Sequence, residues 1–215
     1  MQPYFLPYLG YFQLINAVDI WVCMDHASFI NRGYMHRNKV RGDIPIRVPL
    51  IGASQNKNTR EISIDLSCRD WNKVKKTLDL KYSEEPYFSI AKNLIDRASE
   101  NDFQNLASFN FAMIKGIVDY LEIDTRLISS SIGLTSKIKS DGIIEIAKVF
   151  NGETYINAPG GIGLYDKEYF LKHNLRLQFL NPTLQGEFKD MSIFHLLSCY
   201  SKSEIKSKLN EYELS

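Results

Sequence analysis

The sequence predicts an α/β fold: a Rossmann-like, mainly parallel sheet with flanking helices and a helical block inserted at about 70–121, in one domain of 215 residues. Three observations carry this expectation. From residue 126 onward, strand-like and helix-like stretches alternate as RLISS, Ile143 to Phe150, TYIN, Asp166 to Lys172 and LRLQFL, the order of parallel βα units. Near the start, Leu9, Phe12, Leu14 and Ile15 mark a short amphipathic helix that leads into IWVCM, an apolar run suited to a buried strand. Between these regions Trp71, Val74 and Leu78, then Ile90, Leu94 and Ala98, then Leu106, Met113, Ile114, Ile117 and Leu121 recur at helical spacing.

The chain opens MQPYFLPYLGYF, a run with two prolines and no strand in front of its helix. In α/β folds an apolar strand usually precedes the first helix, so one is expected ahead of Gln2, outside this sequence. Residues 2–7 would then form the strand-to-helix crossover at the carboxyl end of that strand, where ligand sites of such folds lie. Further on, Ile44, Ile46, Val48 and Leu50 alternate with Pro45, Arg47 and Pro49, and the prolines confine this strand to a sheet edge or a bulge. Ile62, Ile64 and Leu66 predict another strand by the same alternation. Ser201 and Glu204 have capping-box spacing for a last helix carrying Ile205, Leu209 and Tyr212.

Composition narrows the function classes. Hydrophobic residues make up 44% of the chain, enough for a core, while the net charge of +1 gives no field that would draw nucleic acid or a membrane. No apolar run reaches the roughly 18 residues of a membrane helix, and the opening run lacks a basic leader. Cys23, Cys68 and Cys199 lie far apart without metal-ligand spacing, so each is expected to pack as a reduced thiol in the cytoplasm. No structural metal is expected, because the four histidines lack ligand spacing.

Three stretches hold the polar chemistry. In the opening elbow, Pro3 and Pro7 stiffen the backbone, Gly10 permits close approach at a helix start, and Gln2, Tyr4 and Tyr11 could face a phosphate or sugar. The competing reading is a loop that packs aromatics into the core. In MDHASFINRGYMHRNK, Asp25 and His26 follow a strand directly, and His36 comes ten residues later. A carboxylate and imidazoles suit general acid/base catalysis, since histidine titrates near neutrality. Arg32, Arg37 and Lys39 are candidates for clamping a diphosphate, with Asn38 beside them, against the alternative of a solvated basic loop. In YINAPGGIGLYD, Asn157, Gly160, Gly161 and Tyr165 lie between a strand and a helix that Asp166 can cap; the loop suits a phosphate but matches neither a Walker loop nor GxGxxG. The serines of LISSSIGLTSK are expected to form a mobile loop or to bind a phosphate, His173 to lie near a helix C-terminus, and His195 to be a hydrogen-bonded core histidine.

QPYFLPYLGYFQLINAVD and YINAPGGIGLYDKEYF together resemble the WbqC-like family, as do Asp25 with NRGYMHRNKV, IPIRVPL, Trp71 with KYSEEPYF, and FKDMSIFHLLSCYSKSEI. The similarity spans essentially the whole chain in one order. It implies a role in bacterial surface-polysaccharide (O-antigen) biosynthesis, namely transfer of an amino acid such as glycine onto the amino group of a nucleotide-linked amino sugar. The implied partners are that sugar nucleotide and an amino-acid donor, and the implied cofactor is at most a nucleotide (ATP or the nucleotide sugar) with Mg²⁺. Members often carry Asp-Asp where Asp25-His26 stands, Asn-Arg-Asn where His36-Arg37-Asn38 stands, and Asp where His195 stands, so acids give way to imidazoles here. Two alternatives stand beside the transferase. One is a nucleotide-binding protein related to nucleotidyltransferases, although PYLGYF lacks the imidazoles of their HxGH loop; the other is a non-catalytic subunit of a glycan-synthesis complex.

Overall fold

A computed structural model describes residues 1–100, 103–131, 133–135 and 139–215 of the chain. The amino-terminal half runs α1 (Leu9–Asn16), β1 (Ile20–Val22), β2 (Arg37–Val40), β3 (Ile44–Arg47), β4 (Leu50–Ile51) and β5 (Ser63–Ile64), then α2 (Arg69–Tyr82), α3 (Phe88–Glu100) and α4 (Leu106–Leu121). The remainder runs β6 (Arg126–Ile128), α5 (Lys139–Val149), β7 (Thr154–Asn157), α6 (Lys167–Lys172), β8 (Arg176–Pro182), α7 (Glu187–Asp190), α8 (Ile193–Cys199), α9 (Lys202–Ser207) and β9 (Tyr212–Leu214). The helical block at 70–121 and the βα alternation after 126 stand where the spacing of apolar residues placed them.

The fold is mixed α/β, but its strands do not join into one mainly parallel sheet. Among the described residues they form four small sheets: β1 with β6 in parallel, β2 with β3 and β4 with β5 antiparallel, and β7–β8–β9 with one pairing of each kind. The reason is local. Gly42 and Asp43 both hold positive φ (80° and 56°) and fold β2 back on β3 as a hairpin, and Pro49 interrupts the ladder before β4. The β2 strand has no apolar alternation because His36 and Asn38 occupy inward positions, which hid it in the sequence. The last helix ends at Ser207, and Tyr212 starts β9 on the edge of β8 instead of continuing that helix.

The main core gathers Phe5, Trp71 and Phe109, whose rings contact one another, with Ile114, Ile117 and Leu121 of α4 and Phe194 and Leu197 of α8. A second, smaller core of Ile143, Ile144, Phe170, Leu175, Leu177 and Phe179 lies under the β7–β8 pair. The opening elbow belongs to the main core: Phe5, Leu6 and Leu9 are fully buried. Leu6 has φ of 46°, a left-handed conformation that costs a branched side chain about 1–2 kcal/mol. Two side-chain amides offset that cost. Asn38 Nδ2 donates to the Phe5 and Leu6 carbonyls (3.2 and 2.6 Å), and Asn110 Nδ2 donates to those of Pro3 and Met35 (3.0 and 2.6 Å).

The elbow meets the sheet at a defined place. The Met1 amine donates to the Val22 carbonyl (2.6 Å) and Met24 N–H donates to the Met1 carbonyl (2.7 Å), a parallel arrangement. Asp19 and Cys23 point their backbone groups at β6 (Arg126 N to Asp19 O and Cys23 N to Ile128 O, both 2.9 Å), so Met1 occupies the other edge of β1. Residue 2 therefore passes the carboxyl end of β1, and the elbow turns over that end.

Candidate active site at the carboxyl ends of two parallel strands

β1 and β6 pair in parallel with Val22 opposite Ile128, so the residues that follow each strand emerge side by side. After β1 come Asp25 and His26; after β6 come Ser130 and Ser131. The Asp25 carboxylate, 6% exposed, accepts from the Ser131 N–H (3.0 Å) and the Ser131 hydroxyl (2.9 Å) on Oδ1 and from the Ser130 hydroxyl (2.8 Å) on Oδ2. Ser131 Oγ, itself fully buried, lies 2.5 Å from His26 Nδ1. The loop is strapped in place by β-like bonds to residues 57–60, including Phe29 N to Lys57 O (2.9 Å), Thr59 N to Ala27 O (3.0 Å) and Arg60 N to Asp25 O (3.2 Å).

Hydrogen counting assigns the proton roles. A carboxylate has lone pairs and no proton to give, so the single Ser131 hydroxyl hydrogen goes to Asp25. His26 Nδ1 must then be the donor to Ser131 Oγ, which leaves the proton-accepting lone pair of the neutral ring on Nε2. Asp25, Ser131 and His26 thus form a chain in which a buried carboxylate orients a hydroxyl and the hydroxyl orients an imidazole. An imidazole held in this way has a fixed direction and an open lone pair, which suits it chemically to accept a proton.

Other residues marked in the sequence take different places. The His36 imidazole is buried on the inner face of the β2–β3 hairpin, its ring centroid 5.3 Å from that of Phe29, and Nδ1 has no partner. Burial first, then the Arg37 and Arg47 charges, hold its pKa below the ordinary 6.5. A depressed value means that the unfolded chain takes up this proton before the folded one does. Stability is therefore unaffected well above 6.5 and falls as pH drops through 6.5 toward the folded value. In urea titrations the midpoint is expected to fall between about pH 7.5 and about pH 5.5, and His36→Phe is expected to flatten that fall. An unchanged pH slope in the variant would contradict this account.

Asn38 serves the elbow, as described. Lys39 pairs with Asp43 (3.2 Å) across the hairpin turn, with both side chains largely in water. Arg32 is exposed, and its carbonyl accepts a bond from the Arg37 guanidinium. Tyr11 is a core residue: it is 1% exposed, its hydroxyl donates to the Gln2 carbonyl (2.8 Å), and burial raises its pKa well above the usual value. Gly10 is required by protein, not ligand, since a Cβ there would lie 2.6 Å from the Tyr8 ring and 3.1 Å from Pro182. Tyr4 remains at the surface of the elbow, its ring 5.7 Å from Tyr11 and 6.2 Å from Tyr34, with its hydroxyl 3.4 Å from the Gln2 side chain. Burial, then the Tyr8 and Tyr34 phenols, raise its pKa.

The glycine loop is held by its own contacts. Asn157 Oδ1 accepts from Ala158 N–H (2.9 Å), and a Cβ on Gly161 would fall 2.3 Å from Asn157 Nδ2, so Gly161 makes room for that amide. Tyr165 packs edge-on against Tyr155 and Phe170 in the smaller core, while Gly160 is exposed with open space around it. His173 caps the C-terminus of α6. His195 is fully buried; Nδ1 lies 3.3 Å from the Tyr82 hydroxyl, and Nε2 lies 3.1 Å from Glu187 Oε2, within ion-pair range but without hydrogen-bond geometry. Cys199 Sγ is 3.8 Å from His195 Nδ1, yet burial and the neighbouring Glu85 push the thiol up to about 12, so this pair offers no nucleophile near neutrality. The cysteines are free. Among the described residues no group of three or more His, Cys, Asp or Glu is placed to hold a metal, and no helix is long and apolar enough to cross a membrane.

The sequence predicts a mobile or phosphate-binding serine loop; the structure instead makes Ser130 and Ser131 partners of Asp25. A signal was present: polar residues directly after two apolar strands meet whenever those strands pair in parallel. An open cleft of about 300 Å³ lies elsewhere, between the C-terminal ends of α5 and α6, lined by Lys148, Asn151, His173 and Asn174 among others. It holds no part of the Asp25 chain, so hydrogen-bond geometry, not concavity, locates the candidate site.

Comparison with known proteins agrees with this whole-chain organisation. Residues 2–207 match the WbqC-like protein family. The chain belongs to that family. A protein of Mycobacterium tuberculosis, itself described as uncharacterized, is 25% identical over 198 residues, covering 89% of this chain and 84% of its own length. No solved structure matches the chain. As a WbqC-like protein it matches from the elbow through α9, so the elbow and both halves of the Asp25 cluster lie within the family match.

Proposed function

We propose that this WbqC-like protein is a cytoplasmic transferase of surface-glycan (O-antigen) biosynthesis that aminoacylates a nucleotide-linked amino sugar, glycine being the leading amino acid. The observation that carries the proposal is the Asp25–Ser131–His26 chain at the carboxyl ends of β1 and β6. An amino group attacking an activated aminoacyl carbonyl must lose a proton as the new C–N bond forms and the bond to the donor's leaving group breaks. His26 Nε2 takes that proton, while Ser131 and Asp25 stabilise the imidazolium through Nδ1–H. Gln2 and Tyr4, on the elbow over the same strand end, would contact the sugar, and aromatic rings and amides are suited to that task.

The test is incubation of the chain with an amino-sugar nucleotide, glycine and ATP, or with pre-activated glycyl donors, and mass spectrometry of the sugar nucleotide. A glycylated product that falls about 10²–10⁴-fold in His26→Gln is expected. Absence of acylated sugar with every activated donor would contradict the proposal.

A further inference from the structure

The outer face of the β2–β3 hairpin carries an arrangement that folding alone does not favour. Arg37 and Arg47 are direct cross-strand partners. Val48 N–H donates to the His36 carbonyl (2.8 Å), which makes the neighbouring Arg37–Arg47 pair a non-hydrogen-bonded one, the kind in which side chains stand closest. Like charges directly opposite one another destabilise a ladder. Among the described residues neither arginine has a carboxylate within ion-pair range, and the nearby Asp43 is already engaged by Lys39. Arg37 is further pinned, because one of its guanidinium N–H groups donates to the Arg32 carbonyl. The pKa of His36, next to Arg37 in the chain, is lowered first by burial and then by the Arg37 and Arg47 charges. In a chain with a net charge of only +1, this pair is a local concentration of positive charge.

We infer that Arg37 and Arg47 form a clamp for the diphosphate of a nucleotide ligand. Two arginines in direct cross-strand register leave from one place on the hairpin, and a guanidinium can donate two parallel N–H bonds to the oxygens of a diphosphate. An anion seated between them removes the repulsion that the apo hairpin bears. Arg47 thereby replaces Lys39 in the cationic set that the sequence suggested, since Lys39 already has a partner. The anion chemistry stands on the hairpin alone; that the diphosphate belongs to a sugar nucleotide rests on the transferase reading above.

The test is calorimetric and thermal-shift titration of the full chain with inorganic pyrophosphate, UDP and uridine, in wild type, Arg37→Gln, Arg47→Gln and Arg47→Lys. Pyrophosphate and UDP are expected to bind and raise the melting temperature, more weakly as salt rises, while uridine does neither. Each glutamine variant is expected to keep or raise the ligand-free melting temperature and to weaken UDP about tenfold or more; Arg47→Lys is expected to fall between. Equal pyrophosphate binding in wild type and both glutamine variants, or none in any, would overturn the clamp. Binding of pyrophosphate without UDP would overturn its assignment to a nucleotide in favour of some other diphosphate. The two proposals fail separately. A protein that binds UDP through these arginines but never acylates a sugar loses only the transferase reading. One that acylates with unchanged KM in both glutamine variants loses only the clamp.

Discussion

Asn110→Ala is expected to destabilise the protein by about 2–5 kcal/mol, a large effect for a single polar truncation. The two Nδ2 hydrogens of Asn110 each satisfy one buried carbonyl, those of Pro3 and Met35, and the residue is fully buried at the heart of α4. Truncation leaves two buried acceptors without donors, each costing about 1–3 kcal/mol. The amide orientation is decided by these partners, because an oxygen in the place of Nδ2 would face two other oxygens. Asn110→Asp, nearly the same shape but without donors, is therefore expected to be worse than alanine. Urea unfolding monitored by tryptophan fluorescence measures both; a loss below about 1 kcal/mol in Asn110→Ala would mean that the elbow is not held from α4. On the proposed transferase reading Asn110→Ala also disturbs binding, since the elbow that Asn110 anchors carries Gln2 and Tyr4 over the end of β1.

The second large effect is on turnover. His26→Gln removes the proposed base and is expected to cost about 10²–10⁴-fold in kcat. Ser131→Ala does not touch substrate, because the serine is fully buried. It cuts the link between Asp25 and His26 and is expected to cost about 10–100-fold in kcat with KM unchanged. Asp25→Asn keeps the shape but exchanges one acceptor for a donor that cannot accept from both serines, so it should resemble Ser131→Ala. The pH profile separates positioning from simple structural damage. A general base acts only when unprotonated, so loss of the Asp25–Ser131 support should move the acidic limb of kcat/KM, whereas a variant that is merely less folded lowers the whole curve without moving it. An unshifted profile in Ser131→Ala would count against the chain.

The sequence made the helices legible because apolar residues at 3.6-residue spacing need only local information. Leu106 to Leu121 is the plainest case, with Leu106, Phe109, Met113, Ile114, Ile117 and Leu121 all buried. Strand pairing was not legible in the same way. IWVCM and RLISS each read as strands, but nothing in either shows that they pair with each other in parallel, and that pairing is what joins Asp25 to Ser131. Asp25 and His26 were recognisable because a strand end is where α/β chemistry collects; the serines were not, because the same position on an unpaired strand is only a loop. Tyr11 and Tyr165 misled in the opposite direction. Beside glycine and proline they resemble ligand-stacking rings, yet each closes a core. Arg47 reads in the sequence only as the polar position of a strand between prolines in IPIRVPL and gains meaning from its register with Arg37.

The central claim is that a buried carboxylate and a serine hydroxyl hold His26 with Nε2 as the base, and nitrogen-15 NMR of the histidine ring tests it without any substrate. In the full chain, at a pH where the ring is neutral, the His26 proton is predicted to reside on Nδ1, and Ser131→Ala is predicted to release it to exchange between the two nitrogens. A wild-type ring protonated on Nε2, or a Ser131→Ala spectrum indistinguishable from wild type, would contradict the account.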